Sequence, residues 1–204
     1  AAAELYRNFV LDTLALVDAS GIPFRICHYP PDAAISLKGW LGDRFVFQPQ
    51  EGADLGARME LAFRHAFAEG RTKAALIGSD IPDLPTSVVS EAFRALDGND
   101  AVIGPARDGG YYLVGFRSDT FLPGIFRGIP WSTATVLADT LAVFAQERQK
   151  VHRLSLWRDV DTIDDLKDLM NRSRNSYFKS SRTMTYLAGI GKAIFSLKDS
   201  DAAI

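Results

Sequence analysis

The chain has 204 residues, 47% of them apolar and 24% charged, which suits one α/β domain with a short additional segment. A net charge of −2 gives no reason to expect a nucleic-acid partner, and no apolar run approaches membrane-spanning length. The single cysteine, Cys27, excludes an internal disulfide framework and fits a reducing compartment, so a cytoplasmic setting is expected. The opening residues lack the pattern of a signal peptide, because Glu4, Arg7, Asn8 and Asp12 interrupt them.

Residues 4–19 read as a helix with Tyr6, Phe9, Val10, Thr13, Leu14 and Val17 on one face, ended by Gly21-Ile22-Pro23. A strand at 24–29 is closed by Pro30-Pro31, and a short helix near 33–41 and a strand at 44–47 follow. The clearest helix spans 54–69, with Leu55, Met59, Ala62, Phe63, Ala66 and Phe67 in one stripe. Next come a strand from Ala74 to Ile77 and a helix near 86–96 with Thr86 or Ser87 as N-cap. Strands at 100–106 and 111–116 are too close for a helical crossover, so one of them is expected to be antiparallel. Ser132 or Thr133 is expected to cap a helix reaching about 148, and 151–156 reads as a strand. Thr162 with Asp165 resembles a capping box that starts a helix reaching about 172. Residues 171–184 are polar and basic and read as an exposed linker, with a phosphate-binding arm as the lesser alternative. A terminal helix over 184–197 places Leu187, Ile190, Ile194 and Leu197 on one face. The alternation predicts an α/β fold: a mainly parallel open sheet with helices on both faces. The expected division is a domain over 1–170 and a basic linker with a helical segment over 171–204.

The most informative stretch runs from Ala74 through Gly78-Ser79-Asp80-Ile81-Pro82-Asp83-Leu84-Pro85. An apolar strand ends in Gly-Ser-Asp, and two prolines fix the loop that follows. Asp80 therefore stands at the carboxyl end of a strand, the edge where open α/β sheets bind ligands. It reads either as a ligand for a cation that carries a phosphate ester or as a turn cap. Arg107-Asp108-Gly109-Gly110 and Trp157-Arg158-Asp159-Val160-Asp161-Thr162 are further acidic loops, each after an expected strand. All three could converge at one edge.

These segments resemble a glycosyltransferase-like family related to nucleotide-diphospho-sugar transferases and to 2-phospho-lactate guanylyltransferases. The likeness rests on Gln50-Glu51-Gly52-Ala53-Asp54-Leu55-Gly56-Ala57-Arg58-Met59, Gly78 to Leu84, Gly104 to Phe116, Trp131-Ser132-Thr133 and Asp159 to Thr162, and extends over roughly residues 1–170. The string from Gly104 to Phe116 is its most specific part. The resemblance implies a glycosyltransferase A-like fold and metal-assisted glycosyl transfer from a sugar nucleotide to a small-molecule acceptor. Nucleotidyl transfer to a phosphorylated small molecule and non-catalytic nucleotide binding are the alternatives. The family opens with a strand and a phosphate-binding loop that have no counterpart here. The chain is thus expected to be either N-terminally incomplete or a member that has lost part of its nucleotide site.

By this resemblance, Asp80 and Asp161 are the expected ligands of Mg²⁺ or Mn²⁺; Asp159 is the competing second ligand, and pairing of either with Arg158 or Arg153 is the plainer reading. Asp108 and Asp83 are the candidate catalytic carboxylates, with a turn and a loop cap as their plain alternatives. Gln50, Gly52, Leu55, Gly56, Arg58, Gly109, Gly110 and Trp131 are the candidate nucleotide- and sugar-binding residues. The plain alternative for Gln50 to Arg58 is a helix entry capped by Asp54, and for Trp131 it is core packing. His28, His65 and His152 lack metal-ligand spacing, and His65 reads as a solvated helix residue.

Overall fold

The computed structural model describes residues 2–196, with side chains described to residue 190. The order is α1 (Ala2–Ala19), β1 (Ile26–His28), α2 (Ala34–Leu41), β2 (Phe47–Pro49), α3 (Leu55–Ala68), β3 (Lys73–Ile77), α4 (Thr86–Ala95), β4 (Ala101–Pro105), β5 (Tyr111–Arg117), α5 (Val136–Gln146), β6 (Val151–Arg153), α6 (Ile163–Ser173) and α7 (Arg182–Ser196). Short 3-10 turns lie at Pro31–Ala33, Pro123–Phe126 and Tyr177–Ser180.

A four-stranded sheet has the order β3-β5-β4-β6. β3, β4 and β6 share one direction, and β5 runs against them, so β5 is the expected antiparallel strand. β1 and β2 form a separate parallel pair, with Ile26 opposite Phe47 and His28 opposite Pro49. Among the described residues no strand joins the two sheets.

Alternation along the strands divides the core between two faces. Val102 and Leu113 pack with Leu16 of α1 and Val88, Val89 and Ala92 of α4. Their neighbours Ile103 and Val114 pack with Phe63 of α3 and Phe144 of α5. Helices thus cover both faces. A third cluster joins Leu5 and Phe9 of α1 to Leu166 and Leu169 of α6, Phe178, and Leu187 of α7. Each such side chain contributes roughly 1.5–3 kcal/mol through burial.

Several local expectations change. The stretch read as an exposed linker is packed: Ser173, Phe178 and Thr183 are buried, because α7 needs the apolar face of α1. α1 accordingly turns differently from its apolar stripe. Tyr6 is 49% exposed, whereas Asp12 is buried and its carboxylate accepts from the Arg182 and Thr183 amides at 3.1 and 2.9 Å. Asp12 therefore satisfies donors at the start of α7 that the helix cannot. Pro85 occupies the N-cap position of α4, with no side-chain cap from Thr86 or Ser87. α5 starts at Val136 because Ser132 has φ +64° and the Thr133 hydroxyl is engaged with the Pro130 carbonyl at 2.8 Å, which holds a turn ahead of the helix. β2 lies later than expected, as pairing with β1 selects Phe47–Pro49. His65 is half-buried rather than solvated, its Nδ1 lying 2.6 Å from Gln48 Nε2. Of the expected C-terminal apolar face, Leu187 is buried and Ile190 packs beside it, while the Ile194 side chain and Leu197 lie outside what the structure describes.

Candidate functional site

β3, β4 and β6 end at the same sheet edge, because they share a direction. Asp80 follows β3, Asp108 follows β4, and Asp159 and Asp161 follow β6. Two backbone links draw the last segment inward. Trp157 N–H donates to the Pro105 carbonyl at 3.0 Å, and Val160 N–H donates to the Asp80 carbonyl at 3.0 Å. The three acidic loops thus meet.

The charges of these carboxylates reach one another. Burial raises Asp80 above the ordinary aspartate value, and Asp161 and Asp108 raise it further. Asp159 is pushed up to about 6, first by burial and then by the charges of Asp108, Asp161 and Asp80. Asp159 is therefore as much part of the constellation as Asp161. Arg158 is turned away from both and pairs with Asp168 on α6. Among the described residues no three acidic, histidine or cysteine side chains are grouped closely enough to hold a metal ion as they stand.

The Asp108 turn is tightly built. Its Oδ1 accepts from Gly110 N–H at 2.8 Å, and Ala106 N–H donates to the Gly110 carbonyl at 3.0 Å. Gly109 has φ +93°, and a Cβ there would lie 2.1 Å from the Ala134 carbonyl oxygen. No other residue fits that position without movement. Leu137 N–H bonds the Gly109 carbonyl at 2.8 Å, which fastens the turn to the start of α5. Asp108 is exposed, with one carboxylate oxygen engaged by the turn.

The Gln50–Arg58 segment leads from β2 into α3. Asp54 caps α3, accepting from Ala57 N–H at 2.7 Å, and Leu55 is exposed. Gln50 Nε2 donates to the Cys27 carbonyl at 3.3 Å. Arg58 Nε donates to the Gly52 carbonyl at 3.3 Å, and its guanidinium lies 3.8 Å from the centre of the exposed Tyr29 ring. Buried Gly56 lies so close to Trp131 that a Cβ would stand 2.6 Å from its Nε1. Trp131 meets Tyr111 edge to face at 6.3 Å, and Tyr111 opens β5 at the carboxylate edge. This contact brings the α3 entry toward the same edge. Trp131 is half-buried and packs against the core.

Asp83 is placed differently from its neighbours. It is 6% exposed, and both carboxylate oxygens face Arg172 of α6, with Nε–Oδ2 at 2.8 Å and Nη2–Oδ1 at 3.1 Å. Trp157 Nε1 donates to Oδ1 at 3.3 Å. Three donors thus converge on this carboxylate, two of them from one guanidinium. Sequence reasoning also missed Tyr6, whose hydroxyl lies 2.7 Å from Ser79 Oγ and so brings α1 to the Asp80 loop. The exposure of a tyrosine on an otherwise apolar stripe leaves no distinguishing mark in the sequence.

Comparison with known proteins agrees with this architecture. Residues 13–133 match the family described as "Uncharacterized protein conserved in bacteria (DUF2064)". No curated protein matches the chain. A crystal structure from Desulfovibrio desulfuricans G20, described as a "putative nucleotide-diphospho-sugar transferase", is 43% identical. The match covers 95% of this chain and 85% of that one, with a TM-score of 0.92. Rv0371c from Mycobacterium tuberculosis H37Rv is 15% identical, with a TM-score of 0.54 over 80% of this chain and 83% of its own. Its manganese complex is 16% identical, with a TM-score of 0.54 over 80% and 86%. The latter two share the fold alone. With the family match spanning most of the site loops and the 43% identical structure superposing on nearly the whole chain, this protein belongs to the DUF2064 family and has the nucleotide-diphospho-sugar transferase fold.

Proposed function

We propose that this protein is a metal-dependent transferase that moves a glycosyl group from a sugar nucleotide to a small-molecule acceptor. The observation that carries the reading is the convergence of Asp80, Asp108, Asp159 and Asp161 at the carboxyl edge of the sheet, where burial, helped by the neighbouring carboxylates, raises Asp80 and Asp159 above the ordinary aspartate value. None of the four has an ion pair with a described lysine or arginine. A carboxylate set with no ion-paired lysine or arginine among the described residues suits a hard divalent cation, Mg²⁺ or Mn²⁺. Asp80 and Asp161 are the proposed ligands, with Asp159 beside them. The manganese complex of Rv0371c agrees with that choice at the level of the fold. The description of the 43% identical structure supports the sugar-nucleotide donor.

When bound, the cation would offset charge on the leaving diphosphate. The protein's residues supply the rest. The α3 entry, with Gln50, Gly52, Leu55, Gly56 and Arg58, offers main-chain amides and a guanidinium to the nucleotide. Gly109 and Gly110 admit the sugar or acceptor close to the backbone. Asp108, exposed at the same edge, accepts the acceptor hydroxyl's proton. Trp131 closes the side of the site nearest α3.

Product analysis tests the reading. With Mn²⁺ and a panel of sugar nucleotides and acceptors, nucleoside diphosphate should accumulate, and Asp80→Asn should lower turnover about a hundredfold or more. Pyrophosphate release from nucleoside triphosphates, without sugar-nucleotide turnover, would establish nucleotidyl transfer instead.

A further inference from the structure

We infer that Arg172 is a positioning residue that locks the two acidic loops of the proposed site together through Asp83. The inference rests on the placement of the site proposed above. One guanidinium serves three partners. Its Nε and Nη2 engage the buried Asp83 carboxylate at 2.8 and 3.1 Å. Nη2 also donates to the Arg158 carbonyl at 3.3 Å, and Nη1 to Asp168 Oδ2 at 2.7 Å. Asp83 stands three residues after Asp80, and Arg158 immediately precedes Asp159. Arg172 therefore holds the loop after β3 and the segment after β6 with a single planar group.

Neighbouring bonds reinforce this clamp. Asp168 is shared, since Arg158 also pairs with it. Trp157 Nε1 reaches Asp83 Oδ1 at 3.3 Å, and the Tyr177 hydroxyl donates to the Asp83 main-chain carbonyl. The 3-10 turn after α6 thus grips the same loop. A main-chain link between the two loops is the Val160 N–H bond to the Asp80 carbonyl, 3.0 Å long. Each contact on either side of that bond fixes where the carboxylates of Asp80, Asp159 and Asp161 stand. Positioning groups behind metal ligands commonly govern affinity in this way. Lysine cannot replace this group, because one ammonium cannot span Asp83, Asp168 and the Arg158 carbonyl in one plane.

The experiment compares wild type with Arg172→Lys, Arg172→Ala, Asp83→Asn and the exposed control Arg174→Ala. Arg172→Ala leaves Asp83 buried without a counter-charge and can fail to fold, so Arg172→Lys is the decisive variant. Amide exchange is followed in metal-free protein, and affinity is measured by calorimetry with Mn²⁺ alone. In Arg172→Lys, the Val160 and Leu84 amides should exchange about tenfold faster or more, while amides of β4 remain protected. Mn²⁺ affinity should fall about tenfold, Asp83→Asn should act in the same direction, and Arg174→Ala should change neither reading. Unchanged exchange at Val160 and Leu84 in Arg172→Lys overturns the clamp. Faster exchange with unchanged Mn²⁺ affinity overturns positioning and leaves a structural bond only. Wild-type protein that binds no Mn²⁺ refutes the metal reading by itself; the exchange result then decides the clamp alone.

Discussion

At the scale of single residues, chemistry that depends on local backbone is the most legible. Asp108-Gly109-Gly110 announces a turn with unusual φ, and the structure supplies the reason in the Ala134 carbonyl packed against Gly109. Gly109→Ala must accept φ +93° and displace that carbonyl, or the turn must open. We expect a loss on the order of 2 kcal/mol, seen as a melting temperature lower by roughly 5 °C. Unchanged melting would mean that the Asp108 turn is not held as described. Asp83 and Arg172 show what sequence could not reveal. They are 89 positions apart, and nothing local to either one points to the other. An aspartate between prolines reads as a loop cap or a catalytic carboxylate, and its burial against a guanidinium emerges only in the fold. The same holds for Asp12, which looks like an interruption of the apolar face of α1 and instead binds the start of α7.

At the scale of elements, boundaries set by side chains within a few residues were readable. Those set by tertiary contacts were not. Thr162 and Asp165 form the expected capping box: Thr162 Oγ1 accepts from Asp165 N–H at 3.2 Å, and Asp165 Oδ2 accepts from Thr162 N–H at 2.9 Å. This box also sets the direction in which the chain leaves Asp161. Thr162→Ala should cost about 1 kcal/mol, and Thr162→Ser should restore most of it. Equal denaturation midpoints for all three proteins would remove the box from the account of α6. The cap of α4, though not its start at Thr86, and the start of α5 were not readable in this way. At α4, Pro85 with ψ 140° takes the cap position before either hydroxyl residue. At α5, the turn around Ser132 delays the helix. The stretch 171–184 is polar in composition, yet its few apolar members, such as Phe178, are the ones that α1 and α6 bury. Average polarity concealed them.

At the scale of the molecule, the alternation of strands and helices predicted the layered α/β architecture, and the placement of the acidic loops after strands predicted that they meet at one sheet edge. Strand order was out of reach, since nothing local specifies that β5 inserts between β3 and β4. The most consequential global feature is that the sheet is divided. β3 pairs with β5 on one side and with no strand on the other among the described residues. Burial reflects this division: every residue of β4 is buried, whereas every residue of β3 is only half-buried. Antiparallel pairing also settles which groups are affected. Gly78 N–H bonds the Tyr112 carbonyl at 2.9 Å and Ser118 N–H bonds the Thr72 carbonyl at 2.9 Å, so the even-numbered residues from Thr72 to Gly78 face β5. The amides of Lys73, Ala75 and Ile77 therefore point to the open side. An unpaired edge in the interior of an α/β layer is costly unless helices or another strand shield it. α1 and α3 cover the two faces of the sheet here, and neither can pair with its edge. Hydrogen exchange should accordingly show an alternating pattern along β3. Ala75 and Ile77 should exchange at least about tenfold faster than Ala74 and Leu76, while Val102 and Ile103 in β4 remain protected throughout. Uniform protection along β3 would show that a further strand pairs with this edge in solution. Asp80 would then stand at the end of a strand hydrogen-bonded on both sides, and its loop would be held more rigidly than the contacts to β5, Val160 and Arg172 alone provide.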